Sequence, residues 1–86
     1  MIKGTKAFYE SELNPTGTSI LATNVDRLGA IFRNLGPDTG FLYGNDPAVA
    51  FPLLAGESFD DDISWDLWSG ITSGSTVLRV IEVTAV

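Results

Sequence analysis

Turn-forming residues break this sequence at short intervals: Asn14-Pro15-Thr16-Gly17, Leu35-Gly36-Pro37-Asp38-Thr39-Gly40, Gly44-Asn45-Asp46-Pro47, Ala55-Gly56 and Ser73-Gly74-Ser75. Glycine supplies positive φ and proline presets φ, so each cluster reverses or bends the chain. No stretch between them carries a helical apolar face of three turns. Val, Ile, Thr, Phe, Tyr and Trp dominate instead, and these residues suit a pleated, half-buried surface. The expected fold is therefore all-β: a small antiparallel β-sandwich, jelly-roll or Ig-like, of about seven or eight short strands.

The expected strands are residues 5–9, 18–23, 27–35, 40–43, 48–54, 58–63, 65–71 and 76–84. Pro52 marks its strand as an edge or an extended loop, since proline cannot donate to a ladder. Residues 1–12 read as an N-terminal arm or edge strand, and residues 13–86 as the sandwich domain. Alternation assigns the faces. Ile63, Trp65, Leu67 and Ile71 share one parity, which makes Trp65 a core residue and turns Trp68 outward. The last strand is apolar on both sides, with Val77, Ile81 and Val83 on one and Leu78 and Val80 on the other. The second confident strand is similar, with Leu28, Ala30 and Phe32 opposed to Ile31 and Leu35. A strand wet on one face would alternate cleanly, so both should lie centrally or be covered by another subunit.

At 86 residues there is one domain, with a thin stability margin. There is no cysteine and no histidine, so disulfides and the commonest metal ligand are both missing from these residues. Oligomerisation remains as a source of stability, and a 44% hydrophobic content agrees with it. Eleven acidic residues against five basic ones, for a net charge of −6, argue against nucleic acid and anionic membranes. Lys3, Lys6, Arg27, Arg33 and Arg79 are scattered rather than clustered. No apolar run approaches the ~20 residues of a membrane span. The first six residues lack the h-region of a signal peptide, so synthesis and folding in a cytoplasm are expected.

The densest acidic run is Asp60-Asp61-Asp62, with Glu57 and Asp66 nearby. Its spacing is wrong for an EF-hand, and Asp60 and Asp62 are weak calcium candidates at most. A solvated rim that blunts a sheet edge is the preferred reading, and no cofactor is expected. Asp60, Asp62 or Glu57 could also pair with Arg27 and Arg33, which share a parity. Serine chemistry lacks a base other than Lys3 or Lys6, no nucleophile elbow is present, and a small sandwich leaves little room for the two opposed acids of a glycosidase. The chain is expected not to be an enzyme. Asn24 and Asn34 read as structural, bonding turn backbone.

The ordered set Asn24-x-x-Arg27-Leu28-Gly29-Ala30-Ile31, Arg33-Asn34-Leu35-Gly36, Leu42-Tyr43-Gly44, Leu53-Leu54-x-Gly56-Glu57-Ser58-Phe59, Asp66-Leu67-Trp68 and Val77-Leu78-Arg79-Val80-Ile81-Glu82 resembles a group of small bacteriophage virion proteins. The resemblance implies a short β-sandwich that serves as a capsid cement or decoration protein or as another accessory virion piece. Taken with the two strands that are apolar on both sides, it leads to the expectation of a cement or decoration protein on the virion surface that self-associates through those strands, as a trimer, and bridges major capsid proteins. It implies no catalytic residue. The expected interface residues are Trp68, Val77, Arg79, Ile81, Arg27, Arg33, Phe8 and Tyr9. The alternatives are a host-glycan-binding module of a head or tail fibre, using Trp68 and nearby acids, and a tail or neck connector.

Overall fold

The computed structural model describes residues 4–62 and 65–86. Lys3 and Ile63, considered above as a base and a core residue, lie outside them. Eight strands run in the order β1 (Gly4–Leu13), β2 (Thr18–Leu21), β3 (Arg27–Pro37), β4 (Gly40–Tyr43), β5 (Phe51–Leu53), β6 (Ser58–Asp61), β7 (Trp68–Ile71) and β8 (Thr76–Ala85). A single 3₁₀ turn, Pro47–Val49, separates β4 from β5, with Asp46 capping its start. No helix among the described residues is long and apolar enough to cross a membrane.

The strands pair as a folded ribbon whose tip lies between β4 and β5. β1 pairs with β8, β2 with β7, β3 with β6 and β4 with β5, all antiparallel. Pairing of β3 with β8 and of β4 with β7 closes the ribbon into two four-stranded sheets. Sheet A has the order β1-β8-β3-β6 and sheet B the order β2-β7-β4-β5. This is a jelly-roll sandwich, one of the two architectures expected from the turn spacing. Pro52 sits on β5 at the edge of sheet B, where its missing N–H costs no ladder bond. The division at residue 12 falls inside β1. Of the two readings offered for that segment, arm or edge strand, the described residues form the edge strand: β1 lies at the edge of sheet A and its ten residues pair throughout with β8.

The core lies between the sheets. Leu13, Ala30, Phe32, Leu78 and Val80 come from sheet A, and Ile20, Leu21, Leu42 and Leu53 from sheet B. Phe51, Phe59 and Trp68 pack against them. Phe32, Phe51, Phe59 and Trp68 form one ring cluster with centroid separations of 4.8–6.0 Å, in offset and edge contacts that suit aromatic quadrupoles. Gly70 is an inner-face residue of β7. A Cβ there would meet the Leu13 and Ile20 side chains at 2.8 and 2.9 Å, so the backbone itself forms part of the core wall.

The tryptophan faces are the reverse of those expected. Trp65 precedes β7 and is 49% exposed, whereas Trp68 is half-buried in the ring cluster. The strand begins only at Trp68, so a parity counted from Trp65 does not carry into it. Within the strand Trp68 and Gly70 face inward, and Ile71 faces out. The indole N–H of Trp68 donates to Asp61 Oδ2 at 2.8 Å, which satisfies the polar tip of a ring that is otherwise apolar. Trp68→Ala is expected to cost about 2–3 kcal/mol, the share of a large core truncation due to a half-buried ring. Trp65→Ala should stay within about 0.5 kcal/mol of wild type. Side-by-side thermal melts test both, and equal melting of the two variants would refute this assignment of faces.

One end of the sandwich is closed by Asn34, fully buried on β3. Its Nδ2 donates to the carbonyls of Asp38 at 2.9 Å and Leu53 at 2.7 Å. Its Oδ1 accepts from the Gly36 N–H at 2.8 Å and from the Thr76 hydroxyl. One side chain thus joins β3, β5 and β8 and leaves no buried amide atom unsatisfied. Gly36, at φ 89°, makes the bulge that lets the amide reach its own strand two residues on.

Candidate interaction surface

The outer face of sheet A is built by alternation along β1, β8 and β3. On β8, Leu78, Val80 and Glu82 point into the sandwich, and Val77, Arg79, Ile81 and Val83 point out. On β3, Ala30, Phe32 and Asn34 point in, and Ile31, Arg33 and Leu35 point out. On β1 the outward positions are Lys6, Phe8, Glu10 and Glu12, cross-strand partners of Val83, Ile81, Arg79 and Val77. β8 and β3 are central, as their two-sided apolarity suggested. A central place in the sheet satisfies their backbone but does not cover their outer side chains.

Registers turn this face into rows. Phe8, Ile81 and Ile31 lie side by side across three strands. The next row is Glu10, Arg79 and Arg33. Val83 and Leu28 lie beyond the apolar row, and Val77 and Leu35 beyond the charged one. Exposure is 67% for Phe8, 42% for Ile31 and 44% for Leu35. A contiguous patch of this kind, rimmed by polar groups, marks an interaction surface. The electrostatics are mixed. Arg79 approaches Glu10 at 3.8 Å with both side chains more than half exposed, a pair that adds little to stability. Arg33 has no ion pair among the described residues.

Of the expected interface residues, this face gathers Phe8, Arg33, Val77, Arg79 and Ile81. Tyr9 is on the inward parity of β1, 43% exposed, with its hydroxyl donating to Glu82 Oε1 at 3.4 Å. Trp68, half-buried in the ring cluster with its indole N–H on Asp61, lies apart from this face.

Arg27 is also removed. A bulge between Arg27 and Gly29 shifts the register of β3 against β8, so Arg27 and Arg33, of equal parity in sequence, fall on opposite faces. Arg27 is 7% exposed. Its Nε donates to Glu82 Oε2 at 2.8 Å, Nη1 to the Asp66 carbonyl at 2.6 Å and Nη2 to the Ala22 carbonyl at 2.6 Å. Asn24 Nδ2 donates to Glu82 Oε2 at 3.3 Å and to the Thr84 hydroxyl at 3.0 Å. Arg27 therefore ties sheet A to the chain flanking β2 and β7, which belong to sheet B. Among the described residues neither arginine forms an ion pair with Asp60, Asp62 or Glu57. Glu57 accepts from the Leu54 N–H at 2.7 Å in the turn before β6.

Asp61 points inward and is 4% exposed, while Asp60 and Asp62 are exposed on the other parity. Among the described residues no three carboxylates converge as a metal site would require. Sheet B carries a shallower apolar feature on its own outer side, an open groove of about 460 Å³ lined by Pro15, Phe41, Ile71, Thr72 and Ser73.

Sequence reasoning missed Ile31, Leu35 and Glu10 as members of the face. The outward parity of Ile31 and Leu35 was visible. Their company was not, because it depends on β8 lying between β1 and β3.

No family model matches this chain, and no curated protein does. Among solved structures it is similar to a protein of Bacillus endospore appendages, described as a novel family of disulfide-linked pili. That similarity has a TM-score of 0.60 at 12% identity and covers 99% of this chain and 88% of the other. At that identity the likeness concerns the fold: a small β-sandwich is shared.

Proposed function

We propose that this chain is a non-enzymatic structural subunit that works by joining copies of itself into a larger protein assembly. The observation that carries the reading is the row Phe8, Ile81 and Ile31 on sheet A, an apolar surface that the chain's own fold leaves uncovered. In its finer form the assembly is a bacteriophage virion. The chain is then a capsid cement or decoration protein, a homotrimer or other closed oligomer that bridges major capsid proteins on the virion surface. Its mechanism is avidity, in which many modest contacts act at once. The order of motifs from Thr18 to the end of the sequence supports that form. The free edge of β1, ten residues long, offers a second means of joining by strand addition.

A subunit of a fibre is the second reading, favoured by the shared fold with the Bacillus pilus protein. These 86 residues contain no cysteine, so they would be joined without disulfides of their own.

The purified chain is expected to sediment as an oligomer at micromolar concentration. Phe8→Ser combined with Ile31→Ser should abolish association while shifting stability by less than about 1 kcal/mol, since both side chains face outward. A wild-type chain that stays monomeric refutes the assembly reading. Mass spectrometry of virions, with localisation of the corresponding density, separates the capsid form from the fibre form, which instead predicts filaments of the isolated protein by electron microscopy.

A further inference from the structure

The outer face of sheet A has an internal symmetry that identifies its partner. β8 lies between β1 and β3, so a two-fold axis running along β8, midway between two facing sheets, places β1 of one copy over β3 of the other. The row registers then decide what meets what. Phe8 falls opposite Ile31 of the second copy, and Ile81 opposite its own counterpart. Glu10 falls opposite Arg33, twice, once on each side of the axis. The apolar row covers itself, and the arginine that lacks an ion pair among the described residues gains a carboxylate.

Resting on the assembly reading above in its general form, and in place of its trimer, we propose that the assembling unit is an isologous dimer. Two copies pack outer face of sheet A against outer face of sheet A about this axis, with reciprocal Glu10–Arg33 pairs. Such an interface is self-complementary by construction, as two-fold interfaces must be. Face-to-face sheets pack about 10 Å apart with strand directions within about 30°, which keeps the rows in register near the centre.

The charges choose this axis over its rival. An axis running across the strands lays β1 over β1. Centred on the charged row, it opposes Glu10 to Glu10 and Arg33 to Arg33. Centred on the apolar row, it opposes Glu10 to Lys6 but lays Arg79 on Val83 and Arg33 over the Leu28–Gly29 end of β3, so both guanidiniums face hydrocarbon and Arg33 gains no carboxylate. Centred between the rows, it presses Glu10 onto Phe8 and Arg79 onto Ile81, burying charge against hydrocarbon. Along β8, the two Arg79 guanidiniums approach each other near the axis. Each is within 3.8 Å of its own Glu10, and both carboxylates flank the pair. Complementary charges of this kind set register and partner more than raw affinity.

The test is a charge swap on the full chain, read by sedimentation equilibrium. Glu10→Arg and Arg33→Glu should each weaken association about tenfold or more, because each places like charges opposite one another across the axis. The double variant Glu10→Arg/Arg33→Glu should return to within about threefold of wild type. It keeps one carboxylate and one extra arginine beside Arg79 within each chain, so its fold is matched to the parent's, and melting curves check that. A double variant no better than the single ones, or a wild-type trimer, overturns the two-fold register and leaves the assembly reading standing. A monomeric wild type overturns both.

Discussion

Arg27→Met is expected to destabilise the fold by about 3–5 kcal/mol, most of the stability that an 86-residue domain has. Arg27 uses all three guanidinium nitrogens from one buried position, toward Glu82 in its own sheet and the Ala22 and Asp66 carbonyls in the chain leading from β2 and into β7. Methionine occupies similar volume but leaves Glu82, 7% exposed, as a carboxylate with only the longer bonds from Asn24 and Tyr9, at 3.3 and 3.4 Å. An uncompensated buried charge is what makes breaking such a pair costly, whereas the intact pair itself adds little. The companion variant separates these terms. Arg27→Met/Glu82→Leu removes the stranded charge and should recover most of the loss. Urea melts of the single and double variants provide the measurement. A single variant that melts like wild type would mean that solvent reaches Glu82 freely. A double variant as unstable as the single would instead place the cost in the two orphaned carbonyls.

That pair was hidden in the sequence for a physical reason. Strand parity assumes an unbroken ladder, and the bulge after Arg27 adds one residue to it, which turns Arg27 inward while Arg33 stays out. Trp65 and Trp68 failed in a related way, because the parity was carried through residues that precede β7. Hydropathy also misled there. Asp61, Gly70 and Glu82 are inner-face positions that look like surface residues in sequence, each with its own local justification: a bond to indole, close packing by Leu13 and Ile20, and an arginine partner. The architecture was far more legible. Turn clusters marked the strand ends, Pro52 marked an edge, and the two-sided apolarity of residues 27–35 and 76–84 marked the two central strands of sheet A. What those runs could not reveal is which of their residues share a row, since cross-strand neighbours are set by pairing between segments far apart in sequence, Ile31 with Ile81 for example.

Phe32→Ala provides the sharpest contrast with its neighbour in sequence. Phe32 is 0% exposed, and its ring touches those of both Phe59, at 6.0 Å, and Trp68, at 5.4 Å. It stands where β3 of one sheet meets β6 beside it and β7 of the facing sheet, so its loss opens a cavity at the junction of all three. Rings on either side are held by their own partners, Phe51 among them, and the Trp68 indole is fixed by Asp61. Collapse into the void is therefore restricted, and the cost should lie at about 3–5 kcal/mol, enough to leave a large fraction of chains unfolded at ambient temperature. Ile31, one residue earlier, faces the opposite way at 42% exposure, and Ile31→Ser should leave the melting transition almost unchanged while weakening self-association. Circular dichroism melts and sedimentation on the two variants together read both faces of one strand. Loss of folding from the Ile31 variant, or normal folding of the Phe32 variant, would require β3 to be turned over. The proposed dimer face and the ring cluster would then exchange places, and neither could stand as described.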